Sequence, residues 1–164
     1  MQTRGLTPTV ISYSAEISAC EKGNEYQEAH RLFKEMQTRG LTPNVISYSA
    51  VISACEKGRE CQEALRLFKE MQTMGITPDV IIYNAVISAC EKGRECQEAL
   101  RLFKEMQTRG LTPDIISYSA VISACEKGRE CQEALELFKD MQTRGLTPNV
   151  ITYNAVISAC EKGR

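Results

Sequence analysis

The sequence repeats itself every 35 residues, and this repetition restricts the possible folds more than any other feature of the chain. The segments Val45–Asp79 and Val80–Asp114 differ at only four positions. A fixed period of about 20 to 50 residues is typical of solenoids, in which each repeat buries its apolar face only against its neighbours. We therefore expect a stack of equivalent units, with any specificity carried by the few positions that differ.

The period divides the 164-residue chain into four full repeats and two partial ones. The full repeats span residues 10–44, 45–79, 80–114 and 115–149, and the partial repeats span residues 1–9 and 150–164. Residues 1–9 match the end of a repeat, whereas residues 150–164 match only its first part. We interpret the chain as a single array that is a segment of a longer one.

The first half of each repeat has the pattern of an inner helix. In the repeat 45–79, Asn44 follows a proline and is suited to cap the helix N-terminus. The apolar residues at helical spacing are Val45, Tyr48, Val51, Ile52 and Cys55. Ile46 and Ala50 lie on another side, so we expect the helix to be sandwiched between neighbours. Gly58 is expected to end it.

The second half has the pattern of an outer, amphipathic helix. Its predicted apolar stripe consists of Cys61, Ala64, Leu65, Phe68 and Met71. The other face is charged and polar, which is typical of a helix that faces solvent. Gly75 is expected to end the helix, and Pro78 to hold an extended link. The sequence thus predicts an all-α solenoid of stacked antiparallel helical hairpins.

The eight cysteines occupy only two repeat positions. One position holds Cys20, Cys55, Cys90, Cys125 and Cys160; the other holds Cys61, Cys96 and Cys131. Equivalent residues of adjacent repeats should lie about 10 Å apart, too far for a disulfide. No C-x-x-C motif occurs, so we predict buried, reduced thiols rather than metal or redox chemistry. Reduced thiols fit an intracellular compartment.

The repeat 10–44 departs from the pattern at two core positions. Glu16 and His30 stand where the next repeat has Val51 and Leu65. One interpretation is that Glu16 and His30 pair between the two helices, because an isolated buried charge is costly. The other is that both side chains are partly hydrated.

Charge and motifs exclude several functions. Twenty basic residues against 21 acidic ones give a net charge of −1, which disfavours nonspecific binding of nucleic acid through charge alone. The chain lacks an 18-residue apolar run, so we expect no membrane segment. It also lacks a phosphate-binding glycine loop, a zinc deaminase pattern and more than one histidine. We therefore predict neither an enzyme, a metal site nor a cofactor.

The repeat unit resembles the pentatricopeptide repeat. The resemblance is carried by Val45, Tyr48, Asn84 with Ala85, Glu63-Ala64-Leu65, Leu67-Phe68, Met71, Gly75 and Pro78-Asp79. The tetratricopeptide repeat, by contrast, has period 34 and a tryptophan signature, and this chain has no tryptophan. The resemblance implies a right-handed α-solenoid that binds single-stranded RNA at one base per repeat. It also implies an intracellular protein of mitochondria or chloroplasts.

In the family, the fifth residue of each repeat reads the base and the last residue is its partner. The fifth residues here are Ser14, Ser49, Asn84, Ser119 and Asn154, and the last residues are Asn44, Asp79, Asp114 and Asn149. At the fifth position, serine leaves room for a purine, whereas asparagine reaches a pyrimidine. At the last position, aspartate accepts a hydrogen bond from guanine or uracil, whereas asparagine can also donate one to adenine or cytosine. The predicted target is 5′-AGUA-3′, with a pyrimidine next for Asn154.

Two further positions carry over from the resemblance. The second residues are expected to sandwich bases, and they are Ile11, Ile46, Ile81, Ile116 and Ile151. The alternative is that these isoleucines belong to the core. The thirteenth residues are expected to contact phosphates, and they are Lys22, Lys57, Lys92, Lys127 and Lys162. Their alternative role is favourable interaction with a helix C-terminus.

Two other partners remain open at the level of sequence. A helical solenoid can also bind peptides on its concave surface, which makes a protein-binding scaffold the alternative function. The open repeat ends, residues 1–9 and 150–164, could also stack head to tail in self-association.

Overall fold

The computed structural model of the protein describes residues 7–163, and these residues form nine α-helices and no β-strand. The chain divides into two compact units between Pro78 and Asp79, one residue before a repeat boundary. Unit 1 contains α1 (Val10–Lys22), α2 (Tyr26–Thr38), α3 (Val45–Lys57) and α4 (Cys61–Thr73). Unit 2 contains α5 (Val80–Lys92), α6 (Cys96–Thr108), α7 (Ile115–Lys127), α8 (Cys131–Thr143) and α9 (Val150–Lys162). Most of the partial repeat 1–9 lies outside the described residues.

Each unit is built from two layers of helices. In unit 1, α1 packs against α2 and α3, and α3 packs against α4. In unit 2, α5, α7 and α9 contact one another in succession, while α6 and α8 each pack against the inner helices on both sides. The odd-numbered helices therefore form the inner layer and the even-numbered helices the outer layer. This arrangement confirms the predicted all-α solenoid of helical hairpins.

The predicted helix boundaries have local physical causes. Asn44 caps α3 as expected, because its side-chain oxygen accepts the backbone N–H of Ser47 at 3.0 Å. Gly75 follows α4 with a φ of 79°, a left-handed conformation that glycine adopts at little cost. Gly58 ends α3 for another reason. A Cβ atom there would lie 2.9 Å from the Cβ of Tyr26, so only glycine permits this close approach.

The core is formed by the same positions of each repeat. On α3, the residues Tyr48, Val51, Ile52 and Cys55 are buried as predicted, but Val45 is 39% exposed. On α4, Cys61, Ala64, Phe68 and Met71 are buried as predicted. Leu65 is only half-buried, and Leu67 fills the core in its place. The prediction therefore found the buried face of α4 but placed one of its residues wrongly.

A buried tyrosine connects the two layers in every full repeat. Its hydroxyl donates a hydrogen bond to a carboxylate on the outer helix of the same hairpin. The pairs are Tyr13–Glu35, Tyr48–Glu70 and Tyr83–Glu105, each at 2.8 Å, and Tyr118–Asp140. Within each unit, phenylalanine rings of outer helices meet tyrosine rings of the next repeat edge to face, as Phe103 meets Tyr118 at 5.0 Å. These contacts stabilise both the hairpin and the stack.

The proposed pairing of Glu16 with His30 is wrong. His30 Nε2 instead lies 2.7 Å from Glu63 Oε1 on the outer helix of the next repeat, and its ring stacks on Tyr26. A hydrogen bond from Arg66 lowers the pKa of Glu63 to about 2. Partial burial of the carboxylate opposes this shift, and a hydrogen bond from His30 adds to it. Glu16 and His30 are both half-buried, as the hydrated alternative predicted. His30 therefore joins two adjacent hairpins.

Candidate nucleic-acid interface

The second residues of the inner helices are exposed. All five isoleucines, in the first turn of α1, α3, α5, α7 and α9, are between 58% and 79% exposed. The residues are Ile11, Ile46, Ile81, Ile116 and Ile151. The alternative that they belong to the core is therefore wrong. An exposed apolar side chain at the same position of every repeat instead fits a surface that contacts apolar or aromatic groups.

The fifth residues lie one turn further along the same helices. Asn84 is 8% exposed, Ser14 is 4% exposed, Ser49 and Ser119 are half-buried, and Asn154 is exposed. The hydroxyl oxygens of Ser14 and Ser119 are buried and have no hydrogen-bond partner among the described residues. A serine hydroxyl can rotate to donate or accept, so these two groups have unused hydrogen-bonding capacity.

The last residue of each repeat caps the inner helix of the following one. The N-cap residues Asn44, Asp79, Asp114 and Asn149 each accept the backbone N–H of the residue three positions later. Asparagine and aspartate cap helices about equally well. The choice between them therefore has little effect on the fold, and this position can vary between repeats without disturbing it.

The fifth and last residues of the repeat 80–114 are in direct contact. The amide Nδ2 of Asn84 donates to Asp114 Oδ1 at 3.1 Å, and Ser117 Oγ donates to Asn84 Oδ1 at 2.6 Å. Two positions that differ between near-identical repeats thus come together in space. The participation of Ser117 could not be predicted from the family pattern. Its position three residues after an N-cap was the available signal.

Asp114 is held as a carboxylate. Partial burial tends to raise its pKa, but hydrogen bonds from the backbone and side chain of Ser117, from Asn84 and from the backbone of Ile116 outweigh this effect. Its pKa therefore lies below the ordinary value for aspartic acid. At neutral pH the side chain is an acceptor only, which is the property that the predicted base preference requires.

Two serine repeats, 10–44 and 115–149, lack this contact. Among the described residues, no hydrogen bond joins Ser14 to Asn44 or Ser119 to Asn149. The side-chain oxygen of Asn149 instead accepts the N–H and the hydroxyl of Thr152, at 2.9 and 2.7 Å. Serine is too short to reach the N-cap residue as Asn84 does.

In three repeats, the lysine at the thirteenth position contacts an acid of the preceding repeat. Lys57 Nζ lies 2.6 Å from Glu21 Oε1, and Lys127 Nζ lies 2.6 Å from Glu91 Oε1. Lys162 pairs in the same way with Glu126. The lysine side chains of these pairs remain between 33% and 49% exposed. A phosphate would have to compete with a carboxylate for each of these ammonium groups.

Stacked helical hairpins define a helical-repeat protein. In this chain, the residues that vary between repeats form a row along the inner layer. The family described as Pentatricopeptide repeat domain matches residues 1–58, 31–93, 66–128 and 101–162. These overlapping matches cover nearly the whole sequence. The chain belongs to the pentatricopeptide repeat family.

Solved structures agree with this assignment. The chain resembles the maize pentatricopeptide repeat protein PPR10 in complex with an 18-nucleotide psaJ RNA element, with a TM-score of 0.79 and 27% identity over 98% of this chain and 23% of that one. It resembles the PPR domain of Arabidopsis thaliana protein-only RNase P 1 in complex with tRNA, with a TM-score of 0.78 and 17% identity over 91% of this chain and 82% of that one.

A third similar structure is nuclear proteinaceous RNase P 2 of A. thaliana, with a TM-score of 0.82 and 14% identity over 93% of this chain and 35% of that one. Because these two RNase P proteins are less than 25% identical to the chain, they support its fold alone. The chain spans about a quarter of PPR10 and about a third of RNase P 2. No curated protein matches the sequence.

Two other kinds of site were sought in the part of the chain that the structure describes. Residues 7–163 contain no cluster of three or more histidine, cysteine, aspartate or glutamate side chains that could hold a metal ion. None of their helices is long and apolar enough to cross a membrane.

Proposed function

We propose that this chain binds single-stranded RNA sequence-specifically, reading one base per repeat and preferring 5′-AGUA-3′. The observation that carries the proposal is the contact between Asn84 and Asp114, the two positions that the family uses for base selection. Asn84 lies on α5, and Asp114 caps α7. Exposed isoleucines, Ile81 and Ile116, lie in the first turns of these two helices. The complex of PPR10 with an RNA element supports the same class of ligand.

The hydrogen bond between Asn84 and Asp114 explains how uracil would be preferred in the third position. In the unbound chain the Asn84 amide donor and the Asp114 carboxylate satisfy each other. Uracil offers an N–H to the carboxylate and a carbonyl to the amide, so it replaces both partners. Cytosine presents an unprotonated nitrogen to the carboxylate and leaves two acceptors facing each other. Leaving such groups unsatisfied costs about 1–3 kcal/mol.

The test is fluorescence polarisation with short labelled RNAs that contain AGUA or a change of its third base. Wild type should prefer uracil over cytosine by about fivefold or more, from the cost of an unsatisfied polar group. Asn84→Ser should shift the preference at that base from uracil to guanine. Asp114→Asn keeps the helix cap and should shift it from uracil to cytosine. Unchanged preferences in both variants would contradict the reader assignment.

The same titrations separate this function from the alternative scaffold. Base stacking contributes about 1–3 kcal/mol per base, and only four or five bases are covered, so we expect micromolar or weaker binding that weakens strongly with salt. Equal, weak binding of scrambled RNAs would instead favour a peptide-binding scaffold. We propose a binding module without catalytic function for these residues, although two proteins of the same fold are named as RNase P.

We also propose head-to-tail self-association through α9. Its residues Val150, Tyr153 and Ile157 are between 47% and 73% exposed, whereas Tyr118, the equivalent of Tyr153, is fully buried. A second copy could cover this apolar face as a further repeat would. Sedimentation velocity should show an average mass that rises with concentration, and Ile157→Glu should abolish this rise. A single monomeric species at all concentrations would contradict self-association without affecting the RNA proposal.

A further inference from the structure

Two cysteines of adjacent repeats lie next to each other in unit 2. Cys131 is the first residue of α8, and Cys160 is in the last turn of α9. Their sulfur atoms are 2.7 Å apart. This distance is only about 0.7 Å longer than the S–S bond of a disulfide, which is about 2.05 Å. Comparing equivalent positions alone could not reveal this pair, because its members occupy different positions of their repeats.

The backbone holds the two residues together. A Cβ atom on Gly163, which follows α9, would lie 2.9 Å from the Cβ of Cys131. The end of α9 therefore lies directly against the first turn of α8. Both residues are half-buried rather than buried, so we expect a small disulfide reagent to reach the pair from solvent.

The preceding repeat provides a buried counterpart. Cys96 and Cys125 occupy the same two positions, and their thiols are hydrogen-bonded. Cys125 is fully buried and Cys96 is 7% exposed, and this burial raises the pKa of both thiols. A disulfide reagent cannot approach them in the folded chain, and thiols with raised pKa values are poor nucleophiles. Of these two pairs in unit 2, Cys131 and Cys160 are therefore the more accessible.

A thiol pair is not required for packing at this place. In unit 1, Tyr26 occupies the position equivalent to Cys131 and lies against Gly58 in the same way that Cys131 lies against Gly163. The contact between hairpins is therefore compatible with a side chain that has no sulfur. Substitution of Cys131 should accordingly leave the fold intact, which makes the pair suitable for mutation.

We propose that Cys131 and Cys160 are a site of oxidative modification, where a low-molecular-weight disulfide such as oxidised glutathione drives formation of an intramolecular disulfide between adjacent repeats. One cysteine thiolate attacks the reagent, forms a mixed disulfide and releases one thiolate. The second cysteine thiolate then attacks the protein sulfur of that mixed disulfide and releases the other. The two protein thiols are oxidised, the reagent is reduced to two thiols, and their protons pass to the released thiolates.

The consequence is a covalent link between the outer helix of one repeat and the inner helix of the next. Cys131 and Cys160 are 29 residues apart, so the bond closes a loop of moderate length. Such a cross-link restricts the unfolded chain and fixes the contact between the two hairpins. The oxidised chain should therefore melt at a temperature higher by roughly 5 °C than the reduced chain.

The experiment treats the full reduced chain with oxidised glutathione under native conditions and follows it by intact mass and non-reducing peptide mapping. In the wild type, Cys131 and Cys160 should lose their thiols without retaining glutathione on either residue, and mapping should give one cross-linked peptide pair that joins them. Dithiothreitol should reverse the change. Cys131→Ser and Cys160→Ser should each stop at a mixed disulfide on the remaining cysteine and show no rise in melting temperature.

Two control variants complete the design. Cys20→Ser alters a half-buried cysteine at the position equivalent to Cys160 and should still form the cross-link. Cys96→Ser alters the buried pair and should also form it. A wild-type chain that retains glutathione on Cys131 or Cys160, forms an intermolecular dimer through either residue, joins a different pair or leaves both thiols unreacted would overturn the proposal. These readouts do not depend on RNA binding.

Discussion

The two faces of α7 have opposite environments although their residues are adjacent in sequence. Tyr118 is fully buried, contacts Phe103 edge to face at 5.0 Å and donates a hydrogen bond to Asp140. Ile116, two residues earlier, is 62% exposed. Burial explains why the first face carries the same residues in each repeat. It cannot explain why the second face keeps a large apolar side chain in water.

The buried face of α7 supports the fold, and the exposed face is available for a ligand. A single exposed isoleucine would have no significance, because folded proteins expose much apolar surface. Here the same exposure occurs on every inner helix, next to the residues by which the repeats differ. We therefore expect substitutions on the buried face to change stability, and substitutions on the exposed face to change binding.

The largest effect is expected on the buried face. Tyr118→Ala removes a buried aromatic ring and leaves a cavity between α7, α6 and α8. The free energy of unfolding should fall by about 3–5 kcal/mol, the usual cost of truncating a buried aromatic residue to alanine. Urea denaturation followed by circular dichroism measures this change. Ile116→Ala is the matched control and should change stability by no more than about 0.5 kcal/mol. Equal losses in both variants would contradict the division into two faces.

The next effect is expected on RNA binding by the exposed face. Ile116→Ala removes the side chain that should stack on the neighbouring bases, so affinity for AGUA should fall about tenfold, or by about 1.4 kcal/mol. Ile116→Leu keeps the apolar contact and should bind within about threefold of wild type, a small change on the same energy scale. Fluorescence polarisation measures both. If Ile116→Ala bound RNA as tightly as wild type, the isoleucine row would have no role in stacking.

Much of the fold could be predicted from the sequence because it depends on local chemistry that recurs at each period. The cap formed by Asn44, the left-handed Gly75 and the buried Tyr48 follow from residue type and spacing. Contacts between hairpins could not be predicted in the same way, because they depend on how neighbouring helices are positioned. One example is His30, which contacts Glu63 of the next repeat rather than Glu16.

The candidate site was predictable to a different degree. The positions of the proposed reading residues followed from variation between near copies and from the family resemblance. The hydrogen bond from Asn84 to Asp114 required the structure, since the two residues are 30 positions apart. The lysines illustrate the opposite case. Their exposure fits phosphate contact, but the pairing of Lys127 with Glu91 depends on the placement of successive inner helices and has no signal in a single repeat.

A smaller effect is expected at the cap of α7. The pKa of Asp114 is depressed in the folded chain. The charge of Asp114 therefore stabilises the fold at pH values above the unfolded pKa of about 3.8, and this stabilisation is lost as the pH falls through the folded pKa. The charge near the helix N-terminus should contribute about 0.3–1 kcal/mol. Asp114→Asn keeps the cap and removes the charge. The difference in unfolding free energy between wild type and this variant should be constant above about pH 5 and fall in stronger acid. A difference independent of pH would contradict this role.

The smallest effect is expected from Lys127, the lysine near the end of α7 that contacts the preceding repeat. Lys127 pairs with Glu91 at 2.6 Å, and exposed pairs of this kind contribute only about 0–1 kcal/mol to stability. If Lys127 leaves Glu91 to contact a phosphate, Lys127→Ala should reduce the slope of log affinity against log salt concentration by about 0.7. Glu91→Gln removes the competing carboxylate and should strengthen RNA binding about twofold to fivefold at low salt, because the lysine no longer has to exchange partners. Titrations at several salt concentrations measure both variants. If Lys127→Ala left the slope unchanged and Glu91→Gln left the affinity unchanged, the lysine would serve only the contact between repeats, and RNA recognition would rest on the isoleucine and reading residues alone.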